Sequence, residues 1–243
     1  MIWRVGMEKL REYAKEYGVE LSDEQLNQFS TYYEMLIEKN KVMNLTAITE
    51  KEDVMVKHFA DSIAVASCYD FVTKEVSLID VGTGAGFPGI PLKIAFPNLK
   101  VTLLDSLNKR VSFLQEVIEA LKLEEIQAVH FRAEDGAKKV EFREQFDICV
   151  SRAVANLASL SEYCLPFVKA GGYFISYKSG EIEEELESAK KAISVLGGSV
   201  AKVDYLNLCK MDYMRSFVGI RKEKQTPKKY PRKAGLPTKE PIM

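Results

Sequence analysis

The sequence predicts an α/β fold: a mostly parallel sheet with helices on both faces, preceded by a helical segment and followed by a basic tail. Three observations predict it. From residue 77 onward, short apolar runs alternate with amphipathic stretches of helical period, the order of successive strand–helix units. The run Leu78-Ile79-Asp80-Val81 enters a glycine-rich turn, Gly82-Thr83-Gly84-Ala85-Gly86, and a helical stretch follows. The last two strand candidates, 199–207 and 216–221, leave no room for a crossover helix between them, so they pair antiparallel at one edge of the sheet.

The first 75 residues read as helices. Residues 7–17 form a short leading helix, and residues 1–6 fit no element. Ser22-Asp23-Glu24-Gln25 has the form of a capping box, in which the first and last side chains satisfy each other's backbone N–H groups. Behind it Leu26, Phe29, Tyr33, Leu36 and Ile37 recur at helical spacing and define one apolar face. Asn44-Leu45-Thr46 breaks the pattern. Thr49 and Glu52 offer a second capping box, and Val54, Phe59, Ile63 and Val65 carry a helix to about residue 71. Strands are expected at 77–81, 101–105, 128–132, 146–151 and 172–177, with helices at 89–96, 109–121, 157–165 and 181–196. The chain therefore divides into a helical extension (1–75), a sheet-based unit (76–222) and a tail (223–243).

A content of 47% hydrophobic and 28% charged residues is that of an ordinary globular protein, long enough to bury a sizeable core. A net charge of −1 argues against a uniformly basic nucleic-acid binder. The sum hides an asymmetry. Residues 221–243 hold eight Lys and Arg and two Glu, a surplus of +6, which leaves −7 on the first 220 residues. Four of the eight prolines lie in the tail, whose low apolar content predicts an extended or disordered segment. No apolar stretch approaches the roughly 20 residues of a membrane span, and no signal peptide is evident, so a cytoplasmic protein is expected. The four cysteines form no C-x-x-C pair and there are only two histidines, so reduced structural thiols and no metal site are expected.

The glycine turn carries the chemistry. Gly82, Gly84 and Gly86 allow positive φ and a close ligand approach. The spacing lacks the Gly-Lys-Ser/Thr of a triphosphate loop, and its third glycine comes one residue too early for the dinucleotide fingerprint. Asp80, at the strand end, repels a pyrophosphate and suits the α-amino group of an amino-acid-like ligand. Asp105 ends the next strand, where a carboxylate can accept ribose hydroxyls. The two acids around a phosphate-free turn suit S-adenosylmethionine, an amino acid joined to a nucleoside.

The stretches from Asp80 to Leu92 and from Leu104 to Leu114 resemble the RsmG (GidB) methyltransferases of bacteria. So do Asn44-Leu45-Thr46, Lys57-His58-Phe59-Ala60-Asp61-Ser62, Arg132-Ala133-Glu134, Ser151-Arg152-Ala153 and Lys178, in order across about 20–180. The tail resembles the longer members from Gram-positive bacteria. The resemblance implies a Rossmann-like class I methyltransferase with a seven-stranded, mostly parallel sheet, one antiparallel edge strand and an N-terminal helical extension. It implies methyl transfer from S-adenosylmethionine to N7 of a guanine in 16S ribosomal RNA or the small ribosomal subunit. No heptad seam is apparent, so a monomer is expected, and the residue spacing offers no metal site. The cofactor contacts it implies are Gly82, Phe87, Ala133, Glu134 and Arg152, which join Asp80, Gly84, Gly86, Asp105 and the adjacent Ser106 from the reading of the turn and second strand.

The residues agree with that chemistry. The fourth strand, 146–151, is not followed by the Asn/Asp-Pro-Pro-Tyr segment used for exocyclic amines, and Cys149 lies in an apolar run unsuited to a nucleophile. Guanine N7 has an in-plane lone pair and no proton to lose, so placement suffices. Asn44, His58, Arg152 and Lys178 are the candidates for positioning the substrate. The basic tail, with Tyr230 among its charges, suits single-stranded RNA, and truncation after Lys222 is expected to spare cofactor affinity. Two competing readings are an NAD(P)-dependent oxidoreductase, disfavoured by the glycine spacing and Asp80, and a non-catalytic RNA-binding assembly factor, disfavoured by the complete acid and glycine set.

Overall fold

The computed structural model describes residues 7–70 and 76–243. The readings made for residues 1–6, the helix end near 71 and the boundary at residue 75 lie outside the described residues. Among those described, β1 (Ser77–Val81), β2 (Lys100–Asp105), β3 (Ile126–His130), β4 (Phe146–Arg152), β5 (Val168–Ser179), β6 (Gly198–Asn207) and β7 (Met214–Lys222) form one sheet in the order β3-β2-β1-β4-β5-β7-β6. β1 pairs in parallel with both β2 and β4. β7 runs antiparallel to β5 and to β6, so the antiparallel pair does close one edge, with its reversed member lying just inside the rim. The chain steps from β1 out to β3 and then returns to β4. Strand order thus reverses between β1 and β4, which opens a crevice beyond their carboxyl ends.

Helices α1 (Glu8–Glu16), α2 (Asp23–Met43), α5 (Gly89–Ala95) and α6 (Asn108–Ala120) contribute to the core that covers one face of the sheet. Between them α3 (Lys51–Val54) runs through a π-helical turn, Met55–Ala60, into α4 (Asp61–Ile63). On the other face lie α7 (Ala133–Gly136), α8 (Leu157–Cys164) and α9 (Glu183–Val195). The first core joins Leu10, Phe29 and Phe59 to Leu78 and Leu103, so the N-terminal helices are packed into the sheet's own interior.

The Ser22 capping box forms, with the Ser22 N–H donating to Gln25 Oε1 at 2.8 Å and the Gln25 N–H to Ser22 Oγ at 3.2 Å. Gln25 Nε2 then donates to the Ile94 carbonyl at 2.7 Å and docks α2 on α5. The α2 helix ends on Asn44 in the left-handed conformation, at φ 47° and ψ 57°. Leu26, Phe29 and Leu36 lie on its buried face as expected, but Tyr32 takes the place of Tyr33 there and Ile37 is only half-buried. Tyr32 is fully buried, whereas Tyr33 is half-exposed and donates its hydroxyl to the Thr49 carbonyl. The second capping box does not form. Glu50 is the N-cap without a side-chain bond, and Glu52 instead accepts from Lys9 Nζ at 2.9 Å, so a contact to α1 displaces the local cap.

The tail is not a free segment. Lys222 is fully buried and donates to the Leu165 carbonyl at 2.6 Å and to Thr226 Oγ1 at 2.7 Å. Arg143 donates to the carbonyls of Thr226 and Tyr230 at 2.9 and 3.0 Å. Further on, Pro231 and Pro237 are buried and α10 (Leu236–Lys239) lies against α8. The expectation of disorder rested on apolar content, but buried polar anchors supplied by the body order this segment.

Candidate functional site

The turn after β1 is pinned to β2, with the N–H groups of Gly82 and Thr83 donating to the Leu104 carbonyl at 2.8 and 3.2 Å. All three glycines have positive φ. Each lacks a side chain for its own reason. A Cβ on Gly82 would meet Val154 Cγ2 at 2.6 Å, and one on Gly86 would meet the Tyr32 hydroxyl at 2.6 Å, where that hydroxyl donates to the Ala85 carbonyl. A Cβ on Gly84 would meet nothing within 4 Å; it projects into the open space beside the turn.

Asp80 is completely buried at the end of β1. Its Oδ2 accepts from Thr83 Oγ1 at 2.6 Å and from the Gly89 N–H at 2.8 Å. Its Oδ1 has no hydrogen-bond partner among the described residues. Burial lifts the carboxyl to about 7, against the lowering pull of the Thr83 and Gly89 bonds. An orphaned, buried carboxylate oxygen is costly unless a cation completes it. That vacancy fits the α-ammonium of an amino-acid ligand. Asp105 accepts from the N–H of Gly84 and that of Leu107, both at 2.9 Å, so it holds the turn to β2 while keeping lone pairs free.

Ser106, Ala133 and Glu134 come together with Gly82, Leu104 and Val154 around a cavity of about 210 Å³ beyond β1 and β2. Tyr163 and Gly235 complete its lining. Sequence reasoning missed both, and neither belongs to a recognisable motif.

A second cavity, of about 450 Å³, lies beyond β4 and β5 and is lined by Lys57, His58, Arg152, Lys178, Tyr213 and Arg215. The fully buried Asp61 organises it. Its Oδ2 accepts from Arg152 Nη1 at 2.6 Å and from Arg215 Nη2 at 2.7 Å, and its Oδ1 from Arg215 Nε at 2.6 Å. One carboxylate between two guanidiniums leaves a positive surplus. Phe87 is buried beneath this site, stacked on His58 at a centroid distance of 4.5 Å with the Arg152 guanidinium 5.2 Å from its ring. Burial first and Arg152 second push the His58 pKa down to about 4, so the ring is neutral near pH 7. Thr46 Oγ1 lies 2.8 Å from its Nε2. Lys178 is committed to the Ala155 carbonyl at 2.8 Å and to Glu185 at 2.6 Å, which braces the loop after β4. Asn44 does not line the cavity and serves α2 as its terminus. Tyr213 and Arg215 were not anticipated; the one available signal is a charged residue just before the apolar run 217–220.

The turn 152–154 separates the two cavities, with Arg152 and Ala153 lining one and Val154 the other. Ala153 has φ +58°, an uncommon conformation for a residue with a side chain. Cys149 and Cys164 are both fully buried, and burial holds the Cys149 thiol well above its ordinary range, so neither is a nucleophile for these cavities. Among the described residues no group of three or more His, Cys, Asp or Glu is placed to hold a metal ion. Among the described residues no helix is long and apolar enough to cross a membrane.

Residues 25–212 match the family model described as GidB, rRNA small subunit methyltransferase G. The chain is 55% identical over 226 residues to the ribosomal RNA small subunit methyltransferase G of Lachnoclostridium phytofermentans, covering 93% of each chain. It is 51% identical over 237 residues to the protein of that name from Staphylococcus aureus, covering 98% of each. Among solved structures it is similar in fold to M. jannaschii TYW2 in complex with AdoMet, with TM-score 0.51 and 18% identity over 63% of this chain and 72% of that one. It is similar in fold also to the cyclase SpnF, with TM-score 0.52 and 15% identity over 68% of this chain and 81% of that one.

Proposed function

The chain belongs to the rRNA small subunit methyltransferase G (GidB) family, and on that premise we propose that it transfers the methyl group of S-adenosylmethionine to N7 of a guanine in 16S ribosomal RNA. The observation that carries the site assignment is the unpartnered, buried Oδ1 of Asp80 at the start of the same turn whose Gly84 faces open space. It asks for a cation where the amino-acid end of the cofactor would lie. Ser106, Ala133 and Glu134 in the 210 Å³ cavity would hold the adenosine end.

Bound there, the cofactor would supply an electrophilic sulfonium methyl group for transfer to the ring nitrogen. The protein's residues then have three tasks. The first is to place the guanine, which falls to the cavity beyond β4 and β5 on the far side of residues 152–154. The second is to meet RNA phosphate, for which Arg152 and Arg215 hold a net positive charge against the single Asp61. The third is to leave the ring nitrogen unprotonated. N7 needs no general base, and His58, neutral with both ring nitrogens close to polar partners, is suited to packing against Phe87 and to contact rather than to proton transfer. Orientation and electrostatics would then supply the rate.

The proposed enzyme works in the cytoplasm as a monomer, without metal, on the small subunit or its RNA. Residues 76–222 would form the cofactor-binding unit, the helices before it the substrate-side extension, and the exposed cations after it an RNA-facing surface. Incubation with small subunits and with naked 16S RNA in the presence of methyl-tritiated S-adenosylmethionine, followed by mass-spectrometric mapping, tests the reading. A single N7-methylguanine is expected, and no transfer to either substrate refutes it.

A further inference from the structure

The cavity assigned to the adenosine end has a wall that no glycine or acid motif supplies. Gly235 lines it, 153 residues along the chain from Gly82, which lines the same cavity. The Gly235 N–H donates to Glu134 Oε1 at 2.8 Å, and Glu134 is itself only 5% exposed. The backbone reaches this carboxylate from a left-handed conformation, at φ +79° and ψ −14°.

Three independent anchors hold the segment in that position. Arg232 Nη2 donates to Glu162 Oε2 at 2.7 Å, its Nε reaches both oxygens, and its backbone N–H donates to Oε1 at 2.7 Å. Glu162 is 1% exposed, so without Arg232 its charge would be buried alone. Ser159 Oγ donates to the Pro237 carbonyl at 2.7 Å. Tyr163, whose side chain also lines the cavity, shares a 2.7 Å hydrogen bond with Thr238 Oγ1. Each of these three partners on the body belongs to α8, so the strap is fastened along one helix and spans from it to Glu134 on α7.

We propose that residues 232–238 are a strap that completes the cofactor site, with the Gly235 backbone orienting Glu134 and closing the adenosine end. The proposal rests on the reading of this cavity as the S-adenosylmethionine site. It reverses the expectation that truncation after Lys222 spares cofactor affinity. The same tail that carries the exposed lysines is a structural part of the cofactor pocket.

The test is isothermal titration with S-adenosylhomocysteine and with 5′-methylthioadenosine, which keeps the adenosine end and lacks the amino acid. A chain ending at Lys233 retains Arg232 and its Glu162 pair but loses the wall. Binding of both ligands is expected to weaken at least tenfold (a tenfold loss is about 1.4 kcal/mol). Gly235→Ala in the full chain meets no atom within 4 Å but strains the φ +79° backbone, and a several-fold loss is expected. If the shortened chain does not fold, hydrogen exchange on the intact protein decides. The Gly235 amide should exchange at least tenfold more slowly with saturating S-adenosylhomocysteine. Unchanged affinity in the folded truncation, a loss confined to the ligand with the amino acid, or exchange at Gly235 indifferent to ligand would each overturn the strap. Failure of the intact chain to bind S-adenosylhomocysteine at all would instead overturn the reading of the cavity, and the strap with it.

Discussion

Asp61 Oδ2 and Arg152 Nη1 meet at 2.6 Å across 91 residues of sequence, in a place where the Asp61 side chain is 0% exposed and that of Arg152 only 10%. Arg215, 11% exposed, takes the same carboxylate from the other side. Removing the shared anion would leave two buried guanidiniums without a counter-charge, Arg152 keeping only the Lys57 carbonyl at 3.1 Å and the His58 ring. Breaking a buried pair by deleting one member costs roughly 3–5 kcal/mol. Asp61→Ala is therefore expected to lose about that much stability in urea denaturation, and Asp61→Asn less, because its carbonyl still accepts a hydrogen bond. A loss below 1 kcal/mol for Asp61→Ala would mean that water reaches both arginines.

Gly84→Val separates cofactor binding from folding. The new Cβ meets no protein atom within 4 Å; the φ of +63° costs about 1–2 kcal/mol for a residue with a side chain. The valine would fill the space assigned to the ligand. Titration with S-adenosylhomocysteine is expected to show no binding, while circular dichroism shows a native spectrum with a modestly lowered melting temperature. Normal affinity in this variant would place the ligand elsewhere.

The doubly wound sheet was legible in the sequence because its signal is local: apolar runs, helical periods and a glycine turn repeat along the chain. Ser106, Ala133 and Glu134 were legible through their resemblance to a known family, and they do line one cavity. Failures came where tertiary contacts decide. Tyr32 and Tyr33 are identical in composition and one residue apart, so only packing against Phe59 and Phe87 selects Tyr32 for the interior. The Thr49 capping box lost to the bond between Glu52 and Lys9. The tail was misjudged because apolar content does not register a buried Glu162 waiting for Arg232, or a buried Lys222 reaching three oxygen partners. Tyr213 and Arg215 lie outside every motif, and only the antiparallel return of β7 beside β5 brings them to the cavity.

Cofactor binding should release protons through Asp80. Burial raises this carboxyl to about 7 in the ligand-free protein, well above its ordinary 3.8. A cation beside Oδ1 favours the ionised form, so the bound state has the lower pKa. Between the two values the free protein holds a proton that the complex does not, and affinity falls as pH falls below 7, at most tenfold per pH unit. The same raised value means that Asp80 favours the ligand-free fold most at low pH, and that this contribution is lost as pH rises through 7. Titrations with S-adenosylhomocysteine at pH 6.5, in two buffers of different ionisation enthalpy, should report up to one proton released per ligand. Asp80→Asn should abolish the release and weaken binding. An equal release from the variant would assign the proton to another group.

The exposed lysines offer a separate handle on RNA. Lys222 is buried and Arg232 is paired with Glu162, so these two cations are committed to the fold. Lys224, Lys228 and Lys229 are exposed and lie outside the 232–238 strap. Each phosphate contact on single-stranded RNA contributes roughly −0.7 to the slope of log affinity against log salt. The triple variant Lys224→Gln, Lys228→Gln, Lys229→Gln is expected to flatten that slope by about 2. Its affinity for S-adenosylhomocysteine should match the parent's, because none of the three lines the cofactor cavity. Filter binding of a 16S RNA fragment from 50 to 300 mM salt measures the slope directly. A slope unchanged within error would show that these cations only keep the surface solvated, and would leave RNA contact to Lys57, Arg152 and Arg215 at the cavity beyond β4 and β5.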